Sequence, residues 1–547
     1  MKIISIITLI LALTAVSCEE VNNVVIDNPP PGSMLAPRQQ AEVFVSGKSG
    51  PIHINGQIYS GKSASVSLDP VDGLGFIVAG QLGSRLLTVR SYHQGEFLEP
   101  AGFHSGTVKT RLGPDIIDKA QGVSFASLCS DMMEGQELVE YMPNPITVET
   151  TIAFIPVTIE VTSTSVIAEG IDVSMYYDGD TLYFHSLLSN VNIVYNAKTA
   201  GINSSGQALY EWMEVSGEVI LSTTDSDLIN MSAIASDPHV TDDGGIPEEA
   251  FGFVIDALDE EVRKAIMETT RNSSRVVFNT LMTTLVPQVQ LDFEYPITQV
   301  TQVESLVSGA GNVSLTYRTE IKAETPIYAK PDHGVLKRTH PDGNFEQGMT
   351  ITFGSSLVNQ IAFAIWDAGN TNNIVYTKEQ LYNLGMEKLG GYYDRISSSE
   401  INLLLPPILE WESDGPWLVM GGIQITMAVE GAADTTAHTA GKVPVYFVQE
   451  GNSLRLMRDT SRTIVFYDTG FDRMNELVDT DKVVKLLNTA VPGVVSDMFS
   501  TFPIIKMSSS LLTTLNGDPG PEVMTELDNV ETHEDHWKMI LSFSLVE

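Results

Sequence analysis

The sequence predicts an α+β chain in which a small all-β block precedes two halves that repeat one order of elements. Three observations carry this prediction. Short alternating segments at close spacing fill residues 38–103. Long alternating segments then run into a single helical pattern from Pro247 to Val286. From about Gln347 to Glu547 the order of helix, alternating strands, helix and strand returns, and duplication is the economical explanation.

The chain opens with Lys2, the apolar run Ile3 to Val16, small Ala15 and Ser17, and then Cys18. That is the grammar of a signal peptide over 1–17 ending in a bacterial lipoprotein box, although Ala15 stands where leucine is usual. Cys18 is then the acylated first residue, and each buried methylene of its acyl chains adds about 0.8 kcal/mol of membrane affinity. The competing reading is an ordinary cleaved leader with an incidental cysteine. Residues 18–37, rich in Asn and Pro, are expected to form a lipidated linker.

In 38–103 the strand candidates are Val43 to Val45, Ile52 to Ile54, Ser65 to Leu68, Phe76 to Val78 and Leu86 to Val89, with Asn55-Gly56 as a two-residue hairpin turn. This block resembles the immunoglobulin-like domains of bacterial surface proteins, which implies a spacer or adhesion module. Thr110 to Leu128 carries Leu112, Ile116, Ile117, Ala120 and Val123 at helical spacing after Pro114-Asp115. Strands follow from Ile152 to Val161 and through Ile171, Val173, Met175 and Tyr177, then an Asp178-Gly179 turn and a return from Tyr183 to Tyr195. The long helix shows Phe251, Val254, Ile255, Leu258, Val262, Ile266, Phe278, Leu281, Met282 and Leu285 at helical spacing, opened by Pro247 and stopped by Pro287. Its stripe lapses at Thr269 to Ser274, where a bend is expected.

The second half opens on Ser356 to Asp367, a helix apolar on most of its circumference, with only Asn359, Gln360 and Asp367 interrupting. Ser355 or Ser356 offers an N-cap and Gly369 a left-handed C-terminal cap. At about three turns it is too short to span a bilayer. Such a helix meets protein on one side and something else apolar, core or lipid, on the other. Ile423, Ile425, Met427 and Val429 share one strand face, as do Trp537, Met539, Leu541, Phe543 and Leu545. A late helix is expected near Asp479 to Met498.

Composition bounds the function. With 547 residues and 43% apolar content the chain can bury two or three cores. Asp and Glu number 69 against 31 Lys and Arg, a net charge of −38, which repels phosphate and argues against nucleic acid and against docking through a basic patch. Beside Cys18 there is only Cys129, so an internal disulfide and a cysteine zinc site are both excluded. Cys129, near Phe125 and Leu128, reads as a buried thiol. Gly56 to Ser63 matches the phosphate-loop pattern literally, but the residues after it alternate like a strand instead of starting a helix. His533-Glu534-Asp535-His536 gathers metal-ligand types with the histidines three apart, and it reads as a solvated turn. No Gly-x-Ser-x-Gly elbow occurs, and no carboxylate pair stands out. No catalytic residue, metal or cofactor is expected, and a hydrolase without a recognisable motif is the third-ranked reading.

Two pieces carry a family resemblance. Thr110-Arg-Leu-Gly-Pro-Asp-Ile-Ile-Asp-Lys-Ala120 and Ser356-Leu-Val-Asn-Gln-Ile-Ala-Phe-Ala-Ile-Trp-Asp-Ala-Gly369 resemble the opening helices of the two barrels of the bactericidal/permeability-increasing and lipopolysaccharide-binding proteins, within the tubular lipid-binding superfamily. Leu405-Pro406-Pro407-Ile408-Leu409 and Phe502-Pro503-Ile504 fit the second barrel. The resemblance implies two tandem elongated barrel-like domains joined by a central sheet, at 104–323 and 324–547, each a twisted antiparallel sheet with long helices closing an apolar tunnel. The tunnel-lining residues it singles out are Leu112, Ile116, Phe251, Val254, Ile255, Leu258, Val262, Leu357, Ile361, Ala364 and Ile365. The implied function is non-enzymatic binding or transfer of phospholipid or another acyl-chain lipid by a monomer anchored in the cell envelope of a bacterium. An adhesive or structural surface protein with packed barrels is the alternative. The family's first-barrel disulfide and basic tip are not reproduced here, so endotoxin neutralisation is not carried over.

Replacing the acylation site by Cys18→Ser is expected to move the chain from the membrane pellet to the soluble fraction; a variant that still pellets would refute the lipoprotein reading.

Overall fold

The computed structural model describes residues 24–547 apart from 84–86, 119–121, 135–140, 153, 200–201, 223–224, 245–247, 286–287, 291–293, 310, 328–332, 339–347, 384–393, 432–433, 463, 472–503, 507–508, 514–518 and 547. The leader, Cys18, Pro247, the late helix expected near Asp479 to Met498 and the Phe502-Pro503 pair lie outside the described residues.

Strands dominate. The first block is a sandwich of a three-stranded sheet (Val24–Asn28, Ala41–Gly47, Ser63–Leu68) and a five-stranded sheet (Met34–Leu35, Leu87–Gln94, Gly73–Gln81, Ile52–Ile54, Gln57–Tyr59). Alternation places Val43, Val45, Ile52, Ile54, Ile77 and Tyr92 in a shared core. Asn55 and Gly56 both adopt positive φ, 46° and 84°, as a two-residue hairpin turn requires. The strand Val24–Asn28 corrects the reading of 18–37 as linker throughout: Val24 and Ile26 point into the core while Val25 faces out. A strand this short is masked by the Asn and Pro around it. Ser63–Leu68 is a strand, so the phosphate-loop pattern leads into no helix.

A seven-stranded sheet binds the two halves together in the order Ile297–Gly309, Asn312–Ala323, His104–Leu112, Met349–Gly354, His536–Val546, Pro519–Thr532, Ser509–Thr513. Its first six strands form a palindrome. In each half the opening strand pairs with the second strand of that half's closing hairpin, and the opening strands pair with each other antiparallel about Thr110 and Ile351. A local twofold of this kind is what a duplicated chain produces when its copies share a sheet.

The helix expected over Thr110 to Leu128 is instead three pieces. His104–Leu112 is a strand to its end, Pro114–Ile117 is a single turn, and Phe125–Met133 is a helix with a Ser124/Ser127 capping box. Pairing on both sides of His104–Leu112 outweighs the helical spacing there. The remaining large sheets are one of the first half, built on Ile155–Asp178, and a nine-stranded sheet that includes Gly415–Val429 and Thr435–Glu450 of the second half and takes its edge strand, Gln288–Gln290, from the first.

The sandwich is docked on the second half. Strand Phe97–Leu98 pairs with Val335–Leu336, Gly422 N–H donates to Ser91 Oγ at 2.5 Å, and Leu74 N–H donates to Glu410 Oε1 at 3.2 Å. At this seam His93 has no exposed surface, and neither of its ring nitrogens has a hydrogen-bond partner among the described residues. Burial, helped by the positive charge of nearby His333 and Arg338, pushes its pKa down to about 3. The folded value lies below the unfolded one, so stability from the neutral ring is complete above about pH 6.5 and is lost as pH falls toward about 3. Unfolding titrations between pH 7 and 4 are expected to show an acid slope of up to about 1.4 kcal/mol per pH unit that His93→Gln removes; parallel slopes for the two proteins would contradict this.

Candidate functional site

The first half is enclosed by its own longest elements. Ile155–Asp178 has 24 residues, and the two strands that follow it, Thr181–Thr199 and Ile202–Ile220, have 19 each. At about 3.3 Å per residue the first is about 80 Å long. The sheet order is Ile146–Ile152, Ile155–Asp178, Thr181–Thr199, Ile202–Ile220, Asp227–Ala235. The 37-residue helix Glu248–Thr284, about 55 Å long, lies against both edge strands of that order. The two edges lie at different levels along the sheet, Ile146–Ile152 against residues 155–161 of the longest strand and Asp227–Ala235 at the level of its residues 171–178. The sheet is curled, and the helix runs along its inner face and meets both edge strands.

Alternation is kept in phase with the interior by local irregularities. The pairing slips between Ser163 and Ser165, and Asn190 takes φ 50° between Leu188 and Val191. Inward positions on the return strand accordingly read Leu182, Phe184, Ser186, Leu188, then Val191, Ile193, Tyr195 and Ala197, all buried. The segments expected as two strands from Ile155 to Tyr177 form one strand, and Ile152 ends the strand before it.

The long helix is continuous through Thr269 to Ser274, where its apolar stripe lapses in the sequence. Its buried stripe runs through Val262, Ala265, Ile266, Thr269, Thr270, Ser273, Ser274, Val277, Phe278 and Leu281 without a gap. Thr269 Oγ1 donates to the Ala265 carbonyl at 2.9 Å. Sequence reasoning took the lost apolarity for a lost helix face. The available signal was spacing: these hydroxyl residues sit at the same helical phase as Ile266 and Val277.

Of the residues expected to line an interior, Val254, Leu258 and Val262 are buried in a core shared with Leu188, Ile193 and Tyr210, and Ile255 packs partly buried against it. Leu112, Ile116, Leu357, Ile361, Ala364 and Ile365 lie in a second, larger core with Phe125, Phe278 and Trp537. Phe251 is half-buried and belongs to neither. The structure thus brings ten of the eleven candidates together in two groups, not one.

The apolar helix Ser355–Asp367 is buried at every position but Ser356. Gly354 occupies the N-cap position without a side-chain bond, so neither serine caps the helix, and Ser355 Oγ instead accepts from Trp411 Nε1 at 2.9 Å. Gly369 has φ 92°, the left-handed geometry expected there. Every interrupting amide is used. Asn359 donates to the Leu336 carbonyl at 3.2 Å and accepts from Leu409 N–H at 2.7 Å; Gln360 donates to the Thr319 carbonyl at 3.1 Å and accepts from Thr319 Oγ1 at 2.6 Å. Trp366 Nε1 donates to the Leu403 carbonyl at 2.7 Å. At 100° per residue these anchors fall on one side, and Leu357, Ile361, Ala364 and Ile365 fall together on the other, within an arc of about 100°.

The discarded motifs are accounted for by their surroundings. His533 and His536 stack at 4.7 Å in a hairpin turn, with Asp535 on His536 at 2.7 Å and Glu531 on His533 at 3.3 Å. Among the described residues no three His, Cys, Asp or Glu side chains are placed to hold a metal ion. Burial raises the Cys129 thiol to about 12, the opposite of what a nucleophile needs. Among the described residues no helix is long and apolar enough to cross a membrane.

No family model matches the chain, and no curated protein matches it. Among solved structures it is similar to a lipopolysaccharide binding protein, at 12% identity and a TM-score of 0.42 over 81% of this chain and 100% of that one. It is also similar to P47 of Clostridium botulinum E1, at 7% identity and a TM-score of 0.23 over 80% and 99%, and to P47 from Clostridium botulinum A2, at 8% and 0.21 over 81% and 98%.

Asn359→Leu would leave the Leu336 carbonyl and the Leu409 N–H buried without partners, at about 1–3 kcal/mol each. Chemical denaturation is expected to show a loss of about 2–5 kcal/mol; a loss under about 1 kcal/mol would mean the amide is not what anchors this helix.

Proposed function

We propose that the chain is a non-enzymatic carrier that binds, and can transfer, a phospholipid or similar acyl-chain lipid in the interior of its first half, held at the envelope of a bacterium by acylated Cys18 and acting as a monomer. One observation carries the reading: a helix of about 55 Å closing a curled sheet of still longer strands encloses an inward face that is apolar along most of its length. The hydrocarbon core of a whole bilayer is about 30 Å thick, so this interior is long enough for extended acyl chains.

The energetics call for such a shape. Taking a phospholipid out of a bilayer exposes about 30 methylenes at about 0.8 kcal/mol each, so a carrier has to replace about 25 kcal/mol of shielding. A surface groove leaves part of each chain wet. A sheet wrapped onto a helix supplies apolar contact all round. The strongly acidic surface, net −38, keeps the protein from lying down on anionic head groups and is compatible with a tethered body that exchanges cargo.

The full burial of Ser355–Asp367 in protein favours the competing reading for the second half, a packed barrel with an adhesive or structural role. Native mass spectrometry and solvent extraction of purified protein separate the two. Phospholipid or fatty acid at about one or more equivalents is expected from a carrier, and its absence from protein purified without detergent would leave the structural reading standing.

A further inference from the structure

The first two strands of the long sheet form a hairpin that stands clear of the rest. Ile146–Ile152 and Ile155–Asp178 pair from Ile146 opposite Val161 to Ile152 opposite Ile155, so the turn between them is two residues long. The next strand in the sheet, Thr181–Thr199, joins the second of them only from Ile159, which lies opposite Thr199. The hairpin therefore projects past its neighbour by residues 155–158 and their partners, about 13 Å. At its apex Phe154 is 99% exposed and Ile155 64%. Phe154 also holds φ 67°, in the left-handed region that Asn and Gly take at hairpin turns and that a bulky aromatic residue rarely adopts.

The chemistry of this hairpin says what covers it. No charged residue lies between Glu149 and Glu160. Edge strands in water are ordinarily kept from sticking by charged side chains, and Ile146–Ile152 is an edge strand whose outer end has none. A protein partner is recognised through matched shape and paired polar groups, whereas a projecting point led by Phe154 and Ile155 offers mainly apolar area. Liquid hydrocarbon requires no matching shape and rewards that area alone. Free N–H and C=O groups of an edge strand cannot be satisfied in hydrocarbon, so only the turn can enter it, with Thr150, Thr151 and Thr158 left at the level of water and head groups. The strand that begins at the apex reaches the buried first-half core at Ile159.

We propose that the apex Phe154–Ile155 is a membrane wedge, which inserts into the hydrocarbon of a lipid bilayer by apolar burial and without the help of charge. A body of net charge −38 is repelled by anionic head groups, so a contact free of charge on a projecting hairpin is the form of membrane contact open to it. The inference rests on the carrier reading for its purpose, and names the part of the carrier that meets the bilayer.

The test is co-sedimentation of the full chain with phosphatidylcholine vesicles, in a Cys18→Ser background that removes any acyl anchor. With Phe154 in place the chain is expected to bind, Phe154→Asp to weaken partitioning by about tenfold or more, and Phe154→Leu to keep most of it. The side chain is almost wholly exposed, so these variants are expected to fold. Mixing phosphatidylglycerol into the vesicles is expected to weaken binding. Failure to bind phosphatidylcholine, binding that Phe154→Asp leaves unchanged, or binding that rises with phosphatidylglycerol overturns the wedge. So does self-association without vesicles that Phe154→Asp abolishes, which assigns the apex to a second copy of the chain. Lipid that co-purifies with a chain failing these tests leaves the carrier reading standing, whereas a chain that binds vesicles through Phe154 yet holds no lipid keeps the wedge and loses the carrier.

Discussion

One helix touching both edges of a five-stranded sheet is the constraint on which the first half depends. The helix runs along the inner face of a curled sheet, meeting Ile146–Ile152 towards one end and Asp227–Ala235 towards the other, and the space between helix and sheet is an inside. Everything else follows the inside. The strands alternate so that apolar side chains point in, and where a strand bends the alternation is reset, by the slip at Ser163/Ser165 and by the left-handed Asn190, so that the phase is not lost. The helix answers with a buried stripe that never breaks between Val262 and Leu281.

The second constraint is the shared sheet. His104–Leu112 and Met349–Gly354 pair antiparallel at the centre of seven strands, so each half closes one flank of the other's core. This is why the apolar helix Ser355–Asp367 is packed so completely: it follows directly on the central strand and is pinned by Asn359, Gln360 and Trp366 against backbone from Leu336, Thr319 and Leu403. A helix held this way is a fixed wall. The two halves thus repeat one plan with different contents, a long lined interior in the first and a densely buried helix in the second.

Much of the architecture was legible in the sequence. Strand alternation, the hairpin at Asn55-Gly56, the turn after Asp178 and the extent of the long helix are local or periodic signals, and they read correctly. Errors fell where tertiary pairing competes with local pattern. Leu112 sits at helical spacing from Ile116, yet strands on both sides hold it in a sheet. Thr269 to Ser274 look like a gap because hydropathy is blind to a hydroxyl that is buried. Val24–Asn28 looks like linker because its core partners, Ala41–Gly47, come later in the chain.

The eleven candidate residues show the same division. Their apolar character and helical phase were set by the sequence alone, since periodicity needs no partner. Their separation into two cores and the exclusion of Phe251 from both were decided only by tertiary structure. The physical reason is that a face is a property of one element, whereas a cavity belongs to several. Which side chains end up facing Thr270 depends on how the strands between Ile146 and Ala235 assemble, and no local pattern encodes that.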